Sequence, residues 1–130
     1  MEGLQIEIVE WPLRFRKPAR TSRDTLTEKP TWFLVARHGD GRVGIGECSL
    51  IPGLSPEHPK RAALALKQIA AQGVLDPASV SDLQPAVKFA VEMALIDLIT
   101  PGERVLFPGS FEAGEVGVPI NGLVWMDEAD

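Results

Sequence analysis

Glu47 and Cys48 are the neighbouring residues whose types come nearest to a reactive pair in this sequence. A cysteine acts as a nucleophile when a histidine can take its proton and a third group orients that histidine. His38 lies in a predicted turn and His58 at a predicted helix start, and nothing in the spacing brings either one to Cys48. The pattern therefore favours a small buried thiol over a catalytic one.

Two further motifs match part of a known binding sequence but lack the other residues that such a site requires. Gly44-Ile45-Gly46 is half of a phosphate-binding fingerprint, but the third glycine is missing and a Pro-Gly turn follows instead of a helix. Asp127-Glu128-Ala129-Asp130 spells a helicase box, yet no GxxxxGK[ST] loop accompanies it. The spacing of histidines and carboxylates indicates no metal site. Residue spacing alone therefore predicts a binding or covering surface and no catalytic constellation.

The elements that would position such a surface begin with strands. Alternating and β-rich apolar runs predict strands at Gln5–Phe15, Thr31–Arg37 and Val43–Cys48. Pro12 interrupts the first strand, which indicates an edge position, a bulge or a break there. The prediction is a three-stranded antiparallel meander, with a long, irregular and flexible loop at Ala19–Pro30.

The third strand and the turn after it carry the strongest local signals. Gly44 and Gly46 leave one face of the strand nearly bare, so that another backbone or a ligand can come close. In the turn Ile51-Pro52-Gly53-Leu54, proline presets φ and glycine accepts a positive φ. Apolar side chains on an exposed turn usually have something that covers them. We therefore expect this turn and the loop Ala19–Pro30 to form the functional surface.

Two helices are predicted after the turn. An apolar stripe of helical period, with proline at its start and Gly73 after its end, predicts a helix over Pro59–Gln72. Ser81 and Gln84 form a capping-box signature that opens a second helix at about Leu83–Thr100. The second helix is apolar on most sides, so we expect a partner or a further domain to cover the face that the sheet leaves.

The composition excludes several classes of protein. A length of 130 residues suits one compact domain, and a net charge of −5 favours neither nucleic acid nor an anionic membrane as a partner. Cys48 is the single cysteine, which excludes an internal disulfide and a thiolate metal site. The sequence shows no signal peptide and no apolar run of membrane-spanning length, so we expect a cytoplasmic protein.

Five segments of the chain carry a family pattern when they are taken in order. They are PARTSR at 18–23, TWFLVA at 31–36, GIGECSLIPGLSPE at 44–57, KFAVEMALIDL at 88–98 and PINGLVWM at 119–126. Together they resemble the start of the o-succinylbenzoate synthases, which are members of the enolase superfamily. The resemblance implies an α+β capping domain at 1–102, a linker at 103–115, and at 116–130 the first strand of a truncated TIM-type (β/α) barrel.

The resemblance also implies a function for a longer enzyme. Family members dehydrate 2-succinyl-6-hydroxy-2,4-cyclohexadiene-1-carboxylate to 2-succinylbenzoate on the menaquinone pathway. They use Mg²⁺ to hold an enediolate and a lysine of a Lys-X-Lys motif as the base. That motif and the three acidic metal ligands lie in later barrel strands, and this sequence has no Lys-X-Lys. We therefore expect this chain to carry no catalytic or metal-binding residue and to be inactive alone.

By the same resemblance, two loops close over the barrel mouth and set specificity. Arg23 would meet a substrate carboxylate, while Ile51 and Leu54 would pack on the succinyl arm. The residues assigned to the loops and to the end of barrel strand one are Thr21, Ser22, Arg23, Ile51, Gly53, Leu54 and Ser55, with Asn121 and Gly122 on the strand. The implied partners are the barrel domain and a small carboxylate substrate, and the formation of a homo-oligomer stays open.

Three other interpretations stay open at this point. The chain could be the cap of another superfamily enzyme, an N-acylamino acid racemase or a dipeptide epimerase, because the reaction is decided mostly in the barrel. It could also be a stand-alone α+β module that binds a small acid or another protein. A cytosolic cysteine enzyme that uses Cys48 is the third alternative.

Overall fold

The computed structural model describes residues 1–20, 24–100, 105 and 107–120. Strands come first along this part of the chain and helices follow, which makes the fold α+β. The elements are β1 (Gln5–Glu10), β2 (Leu13–Arg20), β3 (Thr25–Lys29), β4 (Thr31–Arg37), β5 (Val43–Ser49), α1 (Pro59–Gln72), a 3₁₀ helix (Pro77–Ser79) and α2 (Pro85–Ile99).

The predicted three-stranded meander is confirmed. Strand β4 lies in the middle, between β1 and β5, and both pairings are antiparallel. Gln5 pairs with Arg37 at one end of the sheet, and Thr31 pairs with Ser49 at the other. The single strand predicted over Gln5–Phe15 is wrong: β1 ends at Glu10, and Leu13–Phe15 belong to β2, so of the three alternatives at Pro12 the structure has the break. A proline has no amide hydrogen to give to a ladder, and here the chain leaves the sheet.

The prediction of an irregular loop at Ala19–Pro30 is wrong for most of that segment. Strands β2 and β3 pair antiparallel as a separate two-stranded ribbon, which we call the arm (Leu13–Lys29). Its register shifts between Arg14 and Ala19, the stretch that contains Pro18. Leu26 is the one apolar residue of β3, so the strand has no apolar period, but pairing with β2 satisfies its backbone groups.

The core lies between one face of the three-stranded sheet and the two α-helices. Leu34 and Ala36 of the central strand are fully buried there. Helix α1 begins and ends as predicted, and Gly73 ends it at φ 63°, with its amide donating to the carbonyl of Ile69 at 3.1 Å. The other buried apolar residues of this cluster are Leu4, Trp32, Cys48, Leu50, Ala62, Leu66, Ile69, Leu75, Val80, Val87, Ala90, Val91, Ala94 and Leu98.

The bare face of β5 receives the backbone of α2. A Cβ atom on Gly44 would overlap the carbonyl oxygen of Ala94, and a Cβ atom on Gly46 would overlap the carbonyl oxygen of Ala90. The sequence predicted that a backbone or a ligand comes close at these glycines, and the structure shows that the backbone of a helix does so. Glycine on the strand and alanine on the helix bring the two elements into direct contact.

Helix α2 is not opened by the predicted capping box. The helix starts at Pro85, and its N-cap residue Gln84 makes no side-chain cap bond. The Ser81 hydroxyl accepts a hydrogen bond from the amide of Leu83 at 3.3 Å, and the Ser81 carbonyl accepts one from the amide of Gln84 at 2.9 Å. Ser81 and Gln84 therefore form a turn before the helix.

The outer side of α2 remains apolar, as the sequence predicted. Phe89 is 54% exposed and Ile99 is 53% exposed, while Met93 and Ile96 are half-buried. None of the helices in the described residues combines the length and the apolar character that a bilayer crossing requires.

The first barrel strand, predicted within 116–130, is only partly within the described residues. Residues 116–120 are exposed and irregular, and they pair with no strand in the part of the chain that the structure describes. The rest of that strand, including Asn121 and Gly122, lies outside the described residues, so the division into 1–102, 103–115 and 116–130 stays a prediction.

Candidate functional site

The turn Ile51–Ser55 is closed by three hydrogen bonds within itself. The amides of Leu54 and Ser55 donate to the carbonyl of Ile51 at 3.0 and 2.9 Å. The amide of Ile51 donates in return to the Ser55 hydroxyl at 2.9 Å. Gly53 takes a φ of 78°, as the Pro-Gly pattern predicted. Two apolar side chains of this closed turn face solvent: Ile51 is 39% exposed and Leu54 is 54% exposed.

Both ends of this turn are anchored in the body of the domain. On one side, Leu50 is buried in the core, and its amide donates to the carbonyl of Pro30 at 3.0 Å. On the other side, Glu57 is buried, and the His58 side chain caps α1 by accepting from the amide of Lys60 at 3.3 Å. The turn is therefore a rigid projection with an apolar tip.

The arm begins at the same end of the sheet as this turn. Pro30 joins β3 to β4, and its carbonyl is the group that accepts from Leu50. Trp11, just before β2, donates its amide to the carbonyl of Thr31 at 2.9 Å. The structure thus brings the bases of the two predicted loops together. Thr21, Ser22 and Arg23, which follow β2 in the sequence, lie outside the described residues.

A polar network joins the arm to β5 at this end of the sheet. The Glu47 carboxylate accepts from the Ser49 hydroxyl, which also bonds the hydroxyl of Thr31 at 2.8 Å. The ammonium group of Lys29, on β3, lies 3.7 Å from the same carboxylate. Sequence reasoning did not assign Glu47 to this role. The alternation of β5 could have suggested it, since Glu47 and Ser49 lie on the face opposite Cys48.

Cys48 is a buried core residue. It is fully buried, and burial raises the pKa of its thiol to about 12, with smaller contributions from the carboxylates of Glu57 and Glu47. His38 is paired with Asp40 at 2.8 Å in the β4–β5 turn, and His58 caps α1. A nucleophile needs a thiolate, which this environment disfavours. Burial and the raised pKa therefore favour the small buried thiol over a cysteine nucleophile.

We expect Cys48 to resist alkylation in the folded protein. Because its pKa lies well above neutrality, iodoacetamide at pH 7 should label it at less than about a hundredth of the rate seen in urea. The free energy of unfolding should also fall between pH 9 and pH 12. In that range the Cys48 thiol loses its proton in the unfolded protein but keeps it in the folded protein. Mass spectrometry of timed samples measures the labelling. Rapid labelling of the native chain at pH 7 would contradict the buried placement.

The described residues do not form a metal site. No group of three or more histidine, cysteine, aspartate or glutamate side chains among them could hold a metal ion. Several carboxylates are already engaged by cations: Asp40 pairs with Arg42 at 2.9 Å, and Asp82 pairs with Lys88 at 2.8 Å.

Comparison with known proteins identifies the relatives of this chain. No protein-family model matches it. It is 37% identical to an o-succinylbenzoate synthase of Desulfotalea psychrophila (strain LSv54 / DSM 12343), over 99% of this chain and 44% of that protein. The crystal structure of MenC from Desulfotalea psychrophila LSv54 matches with a TM-score of 0.78 and 31% identity, over 98% of this chain and 43% of that one.

A further structure supports the same fold. The o-succinylbenzoate synthase of Thermosynechococcus elongatus BP-1, complexed with Mg in its active site, matches with a TM-score of 0.61 and 24% identity. That match covers 75% of this chain and 31% of that one. This chain thus spans less than half the length of the proteins it matches. This chain is similar over nearly its whole length to part of an o-succinylbenzoate synthase, and it shares its α+β fold with part of that enolase-superfamily protein.

Proposed function

We propose that this chain is the capping and specificity domain of a longer o-succinylbenzoate synthase. The enzyme would be a lyase that dehydrates 2-succinyl-6-hydroxy-2,4-cyclohexadiene-1-carboxylate to 2-succinylbenzoate on the menaquinone pathway. The observation that carries the proposal is the 37% identity to an o-succinylbenzoate synthase along nearly the whole chain, although the chain accounts for only 44% of that protein.

The geometry of the turn Ile51–Ser55 supports a covering role. Its exposed tip is apolar, and its backbone is closed by internal hydrogen bonds, so it can be presented to a substrate without further ordering. Ile51 and Leu54 would pack on the succinyl arm and exclude water from the reaction. Arg23, between β2 and β3 in the sequence, would pair with a substrate carboxylate.

The catalytic groups would come from the barrel that this chain would cover. Residues 1–102 would form the cap, 103–115 the linker, and 116–130 the first barrel strand, with Asn121 and Gly122 at the end where such barrels place their sites. The apolar outer side of α2, with Phe89 and Ile99 exposed, would be covered in the longer protein. A cation held in the barrel would stabilise the negative charge that develops when the proton α to the carboxylate is removed.

The test is an assay of the protein in its natural length. We expect Mg²⁺-dependent formation of 2-succinylbenzoate, its loss in EDTA, and no turnover by the 130-residue chain alone. Racemisation of N-acylamino acids or epimerisation of dipeptides, without dehydration, would assign the cap to another enolase-superfamily enzyme. Dehydration by the short chain alone would overturn the separation of cap and catalytic groups.

We expect Arg23→Ala to weaken substrate binding in the natural-length enzyme. A lost ion pair to a carboxylate should raise KM about tenfold, with a smaller effect on kcat. Lys17→Ala is the matched control, since Lys17 is an exposed cation on the same arm. Steady-state kinetics measure both variants. Equal KM values in the two would remove Arg23 from the site.

A further inference from the structure

Glu57 is the buried charged side chain of the described residues, with 7% of its surface exposed. It follows the turn Ile51–Ser55 by two residues and comes directly before His58, the N-cap of α1. Burial of a carboxylate is costly unless the charge is compensated. A residue in this place that served only to fill space could be apolar at lower cost.

The compensation comes from the N-terminus of α2. The Oε1 atom of Glu57 accepts a hydrogen bond from the amide of Ala86, in the first turn of that helix. Gln84, the N-cap residue of α2, makes no side-chain cap bond of its own. The positive end of the helix dipole favours a carboxylate at this place. The other oxygen, Oε2, has no hydrogen-bond partner among the described residues, so the carboxylate is held through Oε1.

This bond closes a ring of contacts around the turn. Strand β5 leads into the turn, the turn leads to Glu57, Glu57 binds α2, and α2 lies directly on the glycines of β5. The start of the turn is fixed by Leu50 in the core, and its far side is fixed through Glu57. A displacement of Glu57 from α2 would remove one of the two anchors on the far side of the turn and leave only His58 at the N-cap of α1.

We propose that Glu57 is a positioning residue that sets the place of Ile51 and Leu54 over the substrate. The inference rests on the proposed function of the turn Ile51–Ser55. It assigns Glu57 no contact with substrate and no part in proton transfer. It predicts that loss of the bond to Ala86 harms substrate binding more than it harms the fold.

The test compares variants of Glu57 with a matched cap elsewhere in the natural-length enzyme. Asp76 caps the 3₁₀ helix by the same type of bond, accepting from the amide of Ala78 at 3.1 Å, and it is exposed. We expect Glu57→Ala to raise KM about tenfold, Glu57→Gln to stay within about threefold because it keeps an acceptor oxygen, and Asp76→Ala to leave KM unchanged. Equal KM changes in Glu57→Ala and Asp76→Ala would overturn the proposal.

Amide hydrogen exchange tests the same contact without activity. The amides of Ile51 and Leu54 donate within the turn, so their exchange should quicken at least about tenfold in Glu57→Ala and stay unchanged in Asp76→Ala. If Glu57→Ala does not fold, Glu57→Asp replaces it, since its shorter side chain withdraws the acceptor and should quicken the same amides. Unchanged exchange would overturn the positioning role. If exchange quickens in Glu57→Ala but the natural-length enzyme makes no 2-succinylbenzoate, the positioning role of Glu57 is supported and only the proposed function is overturned.

Discussion

Replacement of Gly46 with alanine is expected to destabilise the domain by at least about 3 kcal/mol. The added Cβ would overlap the carbonyl oxygen of Ala90, which is backbone within α2 and cannot rotate away as a side chain could. The helix would have to move off the sheet, and its buried side chains, among them Val87 and Val91, would lose their contacts. Because whole domains are stable by only about 5–15 kcal/mol, a loss of this size is large.

The matched control for this prediction is Gly39→Ala. Gly39 lies in the β4–β5 turn, has no neighbour within reach of an added Cβ, and has no positive φ. Its replacement should change the free energy of unfolding by less than about 0.5 kcal/mol. Urea unfolding followed by circular dichroism measures both variants. If Gly46→Ala unfolds at the same urea concentration as Gly39→Ala, the close contact between β5 and α2 is not formed.

Replacement of Gly53 is expected to have the largest effect on activity among changes to the turn. Gly53 has a φ of 78°, and an added Cβ would meet nothing, so the cost of a side chain there comes from the backbone alone. A β-branched residue is strongly disfavoured at that φ, whereas asparagine adopts it readily. Gly53→Val should therefore displace Leu54, and we expect kcat/KM of the natural-length enzyme to fall about a hundredfold.

Gly53→Asn is the control within the same position. It adds a side chain of similar size but tolerates the left-handed backbone, so we expect kcat/KM to stay within about threefold of the original. Gly53→Val should also unfold at a lower urea concentration than Gly53→Asn, because backbone strain of about 1–3 kcal/mol destabilises the folded state even outside the core. A loss of activity that is equal in the two variants would mean that added bulk, and not turn geometry, is responsible.

The strands of the meander and the helix α1 could be predicted because each buries one face. The apolar stripe of Pro59–Gln72 has helical period, and proline and Gly73 mark its ends, so the predicted and observed bounds agree. Gly44 and Gly46 lie on the buried face of β5, and their lack of side chains indicated that another part of the chain comes close there. These signals are local: apolar residues recur at the spacing of a helix or a strand, and those residues form the core.

The arm could not be predicted because its sequence shows no such period. Strand β3, Thr25–Lys29, is largely exposed and polar, and it is a strand only because β2 pairs with it. The role of Glu57 was missed for a related reason. Its partner Ala86 is 29 residues away, whereas the local capping-box signal of Ser81 and Gln84 pointed to a bond that the helix does not use. Long-range partners of this type leave no local pattern.

The intact mass of the protein made from its native gene tests the central claim most directly. This chain has a mass of 14.1 kDa. If it is the capping part of an o-succinylbenzoate synthase, the native product should be longer by a barrel domain of about 200 residues or more. A native product of 14.1 kDa would contradict the account, and the apolar turn Ile51–Ser55 and the outer side of α2 would then need another partner.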